Sequence, residues 1–167
     1  MRARFVGYFA GLGLLLAAPL DAATVSSFTV SAQVVPGCLV VGGATQYGTL
    51  DYGSQSALST ATLTAAIGGA TVTLQCTPGV ALSMSLDGGQ NGAGGARNLK
   101  RAGGAQLLSY QLYRDAALAQ GLGIGQSVGV AYTDPAAVKL ALYGRVQLPG
   151  NLPPGTYSDV VQVTFSW

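Results

Sequence analysis

The amino-acid sequence predicts an all-β protein folded as a β-sandwich. Short segments in which apolar and polar residues alternate recur along the chain, and period-two alternation places one face of a strand against a core. Turns rich in glycine and proline separate these segments. Of the 167 residues, 25 are glycine and only 8% are charged, which is less charge than a helical or disordered protein normally carries. The pattern therefore indicates roughly eight or nine short strands and no amphipathic helix.

The individual strands follow from the same alternation. It is clearest in residues 70–76 and 80–87, which a Thr-Pro-Gly turn joins. In residues 137–148 the alternation passes through Gly144, where we expect a bulge or bend. The expected strands cover residues 26–35, 58–68, 70–76, 80–87, 106–115, 137–148 and 156–167.

Residues 88–104 form the most polar segment of the chain and contain no run of alternating apolar residues. We expect a long surface loop here, or a hairpin tip around Asn91-Gly92. The segment carries three positive residues. We expect them to face water rather than to contact a polyanion or another subunit. They are Arg97, Lys100 and Arg101.

The first residues have the pattern of a secretory signal peptide. Arg2 and Arg4 precede an apolar run over residues 5–20, and the small residue Ala23 follows. The run is short for a transmembrane span, so we expect removal of residues 1–23 rather than insertion into a membrane.

The two cysteines, Cys38 and Cys76, are expected to form a disulfide, because an even number of cysteines in an exported chain favours pairing. The bond would close a loop of about 39 residues and stabilise the fold by roughly 3–4 kcal/mol in the chain-entropy model. The alternative is a reactive or metal-binding thiol. The absence of histidine and of a C-x-x-C motif argues against it.

The residues that carry common catalytic and metal chemistry are missing. The chain has no histidine, which is the usual general base and the usual zinc ligand. Isolated aspartates near glycine or proline are turn residues first. We therefore expect no enzyme activity, no catalytic residue, no cofactor and no metal ion, and the net charge of +2 gives no basic patch for nucleic acid. The aspartates beyond the expected signal peptide are Asp51, Asp87, Asp115, Asp134 and Asp159.

The sequence ends in an alternating apolar segment, TYSDVVQVTFSW, which predicts a strand with one buried face. Such a strand needs a neighbour on both sides, or it leaves an edge that promotes association. Residues 24–35, which follow the expected signal peptide, alternate in the same way. They could pair with the last strand of their own chain, or add to the sheet of a neighbouring chain. Head-to-tail addition does not close on itself and gives a filament.

A series of short motifs runs along the chain in the order FTVSAQVVPGC, LDYG, TVTLQCTPG, LSYQLYRD, YGRV and PPGTYSDVVQVTFSW. The most specific pieces are Leu108 to Asp115, Tyr143-Gly144-Arg145, and Gly155 to Asp159. In this order, and with two cysteines at matching places, the chain resembles the spore coat protein U-like family. That family includes the pilus subunits of archaic chaperone–usher systems. The resemblance covers nearly the whole chain after the expected signal peptide.

The resemblance implies an immunoglobulin-like β-sandwich that lacks its last strand and is completed by a donor strand from a neighbouring subunit. On this basis residues 24–35 are the donor segment and residues 36–167 are the pilin domain. A periplasmic chaperone would fill the groove first. At an outer-membrane usher, an identical or related subunit would then replace the chaperone. The donor side chains would be Phe28, Val30, Ala32 and Val34, and the acceptor groove would be lined by Val161, Val163, Phe165 and Trp167.

The implied function is that of a structural pilus subunit, polymerised by donor-strand exchange for surface adhesion and biofilm formation. It would be exported through the periplasm to the surface of a Gram-negative bacterium. The alternative is a self-complete secreted coat or carbohydrate-binding sandwich in which tyrosines form a sugar platform. We expect these tyrosines to be core or turn residues instead. They are Tyr47, Tyr52, Tyr113 and Tyr132.

Overall fold

The computed structural model describes residues 26–43, 46–67 and 72–167, so the signal peptide expected over residues 1–23 lies outside the described residues. The chain divides into two units between Val34 and Val35. In the first unit, the described residues 26–34 belong to no helix or strand, and their side chains are exposed.

The second unit is all-β, as predicted. Its described part contains eleven strands and one short 3-10 turn, Val41–Gly43. The strands are β1 Cys38–Val40, β2 Thr62–Ile67, β3 Thr73–Cys76, β4 Leu82–Leu86, β5 Arg97–Arg101, β6 Leu107–Tyr113, β7 Val128–Val130, β8 Val138–Lys139, β9 Leu142–Gln147, β10 Tyr157–Ser158 and β11 Val163–Ser166.

The larger layer combines two hydrogen-bonded sheets, with the orders β1-β3-β8 and β10-β5-β6-β9-β2. β2 and β3 are successive strands, and they pair antiparallel with β9 and β8, which are also successive. The two pairs therefore continue the same ladder. From one edge to the other, this layer runs β1, β2/β3, β8/β9, β6, β5 and β10.

The smaller layer has the order β11-β4-β7. Both of its pairings are antiparallel, with Val163 opposite Leu86 and Ser166 opposite Ser83. β4 is the central strand, so β11 and β7 are the two edges of this layer.

This arrangement is that of an immunoglobulin-like sandwich. In the immunoglobulin fold, strands A, B, E and D form one layer, and strands C, F and G form the other. Here β1, β2/β3, β8/β9 and β6 take the places of A, B, E and D, whereas β4 and β11 take those of C and F. Strand G would lie beside β11, and no strand of the described residues pairs there.

One hydrophobic core lies between the two layers. Every second residue of β4 and of β9 is buried, which is the period expected for strands with one face on a core. The most deeply buried side chains come from both layers, which shows that the core is shared. They are Leu74, Leu86, Val138 and Val146.

The predicted disulfide is confirmed. Cys38 and Cys76 are bonded and lie directly opposite each other in β1 and β3. The bond fastens the short edge strand β1 to the larger layer. The carbonyl of Gly37 accepts a hydrogen bond of 2.8 Å from the N–H of Thr77, which extends the same ladder by one step.

Two expectations about irregular segments are wrong. Residues 88–104 are not one long loop, because they contain β5, in which Arg97 is only 4% exposed. Gly144 is not a bulge, since it lies in register with Ala65 and with Leu112. The ladder is interrupted instead at residues 140–141, between β8 and β9.

The strand expected over residues 26–35 is not formed in the single chain. Its alternating pattern is present, but a β-strand is stabilised by pairing with a neighbour, and an unpaired segment has none of these hydrogen bonds. Within the part of the chain that is described, no helix has the length and apolar character to cross a membrane.

We expect replacement of both cysteines, Cys38→Ala with Cys76→Ala, to lower the free energy of unfolding by about 2–4 kcal/mol, because the cross-link restricts the unfolded chain. Denaturant unfolding followed by circular dichroism measures this difference. Wild-type protein unfolded in the presence of a reductant is the control, and it should lose a similar amount. Equal stability of the oxidised and reduced proteins would contradict the prediction.

Candidate functional site

Among the described residues, the last strand, β11, has a partner strand on one side only. The carbonyls of Val160 and Gln162 accept hydrogen bonds from the N–H groups of Gln90 and Asp87, at 3.0 and 3.1 Å. Even-numbered residues in this segment thus turn their backbone groups toward the β4 side. Because backbone direction alternates along a strand, the N–H and C=O groups of Val163 and Phe165 point to the opposite side, which is the free edge.

The side chains of the same odd-numbered residues point inward. Val161, Val163 and Phe165 are half-buried and pack against the core, whereas Gln162 and Thr164 between them are exposed. An added strand would therefore find unpaired backbone groups beside half-buried apolar side chains. We call this combination, carried by Val161, Val163 and Phe165, the free edge of β11.

The edge strand of the other layer, β1, lies next to this free edge at one end. The indole Nε1 of Trp167 is 3.2 Å from the place that a Cβ at Gly37 would occupy. Gly37 immediately precedes β1, and Trp167 immediately follows β11. Leu39 of β1 is 58% exposed. The edge strands of the two layers thus approach each other where Gly37 meets Trp167, and we call the space between them the groove.

A segment without regular structure, residues 46–53, packs between the layers near this groove. The hydroxyl of Tyr47 donates a hydrogen bond of 2.6 Å to the carbonyl of Leu140, at the interruption between β8 and β9. The ring of Tyr47 contacts that of Phe165, with centroids 6.2 Å apart. Burial raises the pKa of Tyr47 above its ordinary value. Tyr47 therefore bridges the two layers beside the free edge.

The same segment covers β9. A Cβ at Gly144 would collide with the hydroxyl of Tyr52 and would lie 3.3 Å from Cδ1 of Leu50. Only a glycine at this inward-facing position leaves room for the two side chains. The Tyr52 hydroxyl is buried without a hydrogen-bond partner, and burial raises its pKa to about 12.

A group of polar side chains holds the chain that leads into β11. The carboxylate of Asp159 accepts hydrogen bonds from the hydroxyl of Tyr110 at 2.7 Å and from the backbone N–H of Asn91 at 3.1 Å. The carboxylate of Asp87 accepts one of 2.9 Å from the N–H of Gln162. Burial, followed by the bond to Asp159, raises the pKa of Tyr110. The position of β11 is thus fixed without a strand on its free side.

The guanidinium of Arg97 binds backbone carbonyls near the same region. It donates to the carbonyls of Asp87 at 2.8 Å and Leu122 at 2.7 Å, and also to those of Leu86 and Gly123. Burial lowers the pKa of Arg97. The expectation that Arg97 faces water is wrong. A charged side chain carries no signal of burial in the sequence when backbone carbonyls are its partners.

The family of the chain follows from its sequence. The family model of the Spore Coat Protein U domain matches residues 24–164, which is most of the chain. The chain belongs to the Spore Coat Protein U domain family. No curated protein matched the sequence.

Two solved structures are similar to this Spore Coat Protein U domain. One is the complex of the chaperone CsuC with the tip adhesion subunit CsuE from archaic chaperone–usher Csu pili of Acinetobacter baumannii, with 17% identity, a TM-score of 0.47, and coverage of 80% of this chain and 40% of that chain. The other is a chaperone–tip adhesin complex of CFA/I fimbriae, with 16% identity, a TM-score of 0.48, and coverage of 78% and 41%. This chain thus spans less than half of each of these two chains.

The predicted groove residues of this Spore Coat Protein U domain lie along one segment. Val161, Val163 and Phe165 lie together on its inward side, and Trp167 is 60% exposed against Gly37. The predicted donor side chains lie in the other unit and are exposed. They are Phe28 at 87%, Val30 at 82% and Val34 at 94%, with Ala32 between them.

The tyrosines considered as a sugar platform do not lie on one surface patch. Tyr47, Tyr52 and Tyr132 pack against the core, and the hydroxyl of Tyr132 donates to the carbonyl of Val80 at 2.6 Å. Tyr113 is buried beneath the guanidinium of Arg145, 5.2 Å from the ring centroid. Within the described ranges, no group of three or more acidic, histidine or cysteine side chains is placed to hold a metal ion.

We expect Tyr52→Phe to leave the free energy of unfolding unchanged or to raise it, because the lost hydroxyl has no partner to forfeit. Tyr110→Phe is the matched control. It removes the hydrogen bond to Asp159 and should lower the free energy of unfolding by about 1.5–3 kcal/mol. Denaturant unfolding of both variants tests the pair, and a larger loss for Tyr52→Phe than for Tyr110→Phe would contradict it.

Stability should also fall in alkaline solution. Burial raises the pKa of Tyr52 from 10.0 to about 12, so between these values the folded state holds a proton that the unfolded chain releases. The stabilisation is fully present below pH 10.0 and is lost as pH rises toward about 12. Unfolding measured across this range should show a decline that is shallower in Tyr52→Phe. An identical pH profile in the two proteins would rule the contribution out.

Proposed function

We propose that this chain is a structural subunit of an archaic chaperone–usher pilus, in which residues 24–35 of one subunit add as a strand to the free edge of β11 in the next. The observation that carries the proposal is the free edge itself. Val163 and Phe165 present unpaired backbone groups beside half-buried apolar side chains, at the place of the last strand of an immunoglobulin sandwich. Membership of the Spore Coat Protein U domain family supports it.

The donor segment has the matching pattern. A strand added to a sheet edge gains main-chain hydrogen bonds, and its alternate side chains fill pockets of the acceptor. Phe28, Val30 and Val34 follow this period and are almost fully exposed in the single chain. Full burial of each would contribute about 1.5–3 kcal/mol, from which the cost of ordering the segment is subtracted.

Donation of this kind explains a fibre. The donor segment and the acceptor edge are different parts of each subunit, so the contact is heterologous and does not pair two subunits reciprocally. The subunit can then add head to tail without limit. A strand buried along its length also leaves slowly, because many contacts break together.

The exposed edge must be protected while the fibre is assembled. An apolar edge beside an open core promotes aggregation, so a periplasmic chaperone would cover it until an outer-membrane usher passes the subunit to the next donor. The assembled fibre would stand on the surface of a Gram-negative bacterium and serve adhesion and biofilm formation. The subunit itself needs no catalytic residue for any of these steps.

We expect material from the cell surface to form a ladder of bands in SDS without boiling and a single band after boiling, because donated strands dissociate slowly. Deletion of residues 24–34 should abolish the ladder and leave chaperone binding intact. A substitution of the apolar row, Phe28→Ser with Val30→Ser, should act like the deletion. Substitution of Thr29 and Gln33, which alternate with that row, is the matched control and should keep the ladder. A ladder that persists after the deletion would refute donation by this segment.

A further inference from the structure

Tyr47 is a partly exposed residue that contacts Phe165 on the free edge of β11. A strand paired with the free edge of β11 places one residue directly opposite Phe165, and opposing Cβ atoms in a sheet are about 4.5–5.5 Å apart. The ring of Tyr47 already occupies this neighbourhood, with its centroid 6.2 Å from that of Phe165. We therefore expect a residue of an added strand opposite Phe165 to lie close to the ring of Tyr47.

Several contacts fix Tyr47 in this position. Its hydroxyl is bound to the carbonyl of Leu140 at 2.6 Å. Farther along the same segment, Leu50 and Tyr52 pack against Gly144. The segment also turns back through a hydrogen bond of 2.8 Å from the N–H of Gly53 to the carboxylate of Asp51. These contacts restrict the ring of Tyr47, which is therefore not a freely rotating surface side chain.

The donor row contains one residue that suits a narrowed site. Phe28, Val30 and Val34 are large, and Ala32 is the one small member of the alternating row. Burial of a larger side chain at this position would gain more apolar contact if space were available. In a close-packed site, added methylene groups force neighbouring side chains out of their preferred rotamers instead.

We propose that Tyr47 determines the register of the donor strand by admitting only a small side chain opposite Phe165, and that Ala32 of the neighbouring subunit is this side chain. The inference rests on the proposed function, since it requires donation of residues 24–35. Tyr47 acts on the donor directly, by occupying volume. Its hydrogen bond to Leu140 keeps the ring in place.

The inference is tested by enlarging the side chain of Ala32 and shrinking that of Tyr47, separately and together. In the full chain, Ala32→Leu should reduce the boiling-sensitive ladder by about tenfold or more, because the larger side chain collides with the held ring. Tyr47→Ala alone enlarges the acceptor site, so it should reduce the ladder less than Ala32→Leu does, because Ala32 still enters but fills the site incompletely. The double variant, Ala32→Leu with Tyr47→Ala, should restore it, because the acceptor then has room for the leucine.

Two controls separate steric selection from general damage. Tyr47→Phe keeps the ring and loses the hydrogen bond, so it should not restore the ladder of Ala32→Leu. Val30→Leu enlarges the donor row at another position, and Tyr47→Ala should not restore any loss that it causes. If Tyr47→Ala does not fold, as judged by thermal unfolding, Tyr47→Val serves as the smaller change with the same expected rescue.

The outcomes distinguish this inference from the function on which it rests. No ladder in the wild-type protein would overturn the proposed function itself. A normal wild-type ladder together with an undiminished ladder in Ala32→Leu would overturn the inference alone. A ladder that is lost in Ala32→Leu, retained at least in part in Tyr47→Ala, and no stronger in the double variant than in Ala32→Leu would also overturn it.

Discussion

The free edge of β11 is a strand edge without a partner among the described residues, so other contacts must hold it in place. In a strand, the direction of the backbone groups and the direction of the side chain alternate together. In β11 this coupling gives Val163 and Phe165 unpaired backbone groups and inward side chains at once. A partner strand would satisfy both, whereas water can satisfy only the backbone. The edge therefore lacks both backbone partners and apolar contacts, and an extended segment with alternating apolar side chains would supply both.

An incomplete edge keeps its shape only if other contacts hold it. The carboxylates of Asp87 and Asp159 do this through the backbone of Gln162 and the side chains of Tyr110 and Asn91. A side chain at Gly89 would overlap the carboxylate of Asp159, so the approach depends on a glycine there. Hydrogen bonds to ionised groups are among the stronger ones in proteins. Asp87, which its glycine neighbour assigned to a turn, and Asp159 thus both fix β11. This role becomes visible only when distant segments are brought together.

Much of the sandwich could be predicted from the sequence, because period-two alternation is a local signal. It located β3, β4, β6 and β11, and the cysteine count gave the Cys38–Cys76 bond. β5 was missed because Arg97 and Asn98 are buried polar residues whose partners are backbone carbonyls. Residues 26–35 show the reverse case. Their alternation is that of a strand, yet the pattern states only which partner would suit them, and the single chain supplies none. The contact of Tyr47 with Phe165 has no local signal at all.

In the donor segment, side-chain volume can set the register of the added strand, whereas apolar burial mainly sets its affinity. Apolar burial alone would favour a large side chain at every alternate position from Phe28 to Val34. A uniform row of that kind would also bind equally well after a shift of two residues, since the period of a strand is two. A single small residue removes this degeneracy only if the acceptor has a matching narrow place. In the proposed arrangement the segment that would supply such a place, residues 46–53, has no regular structure. It is held by one hydroxyl bond and by packing on Gly144. Such a segment can change side chains without disturbing any strand ladder, so the register can be altered while the sandwich stays the same.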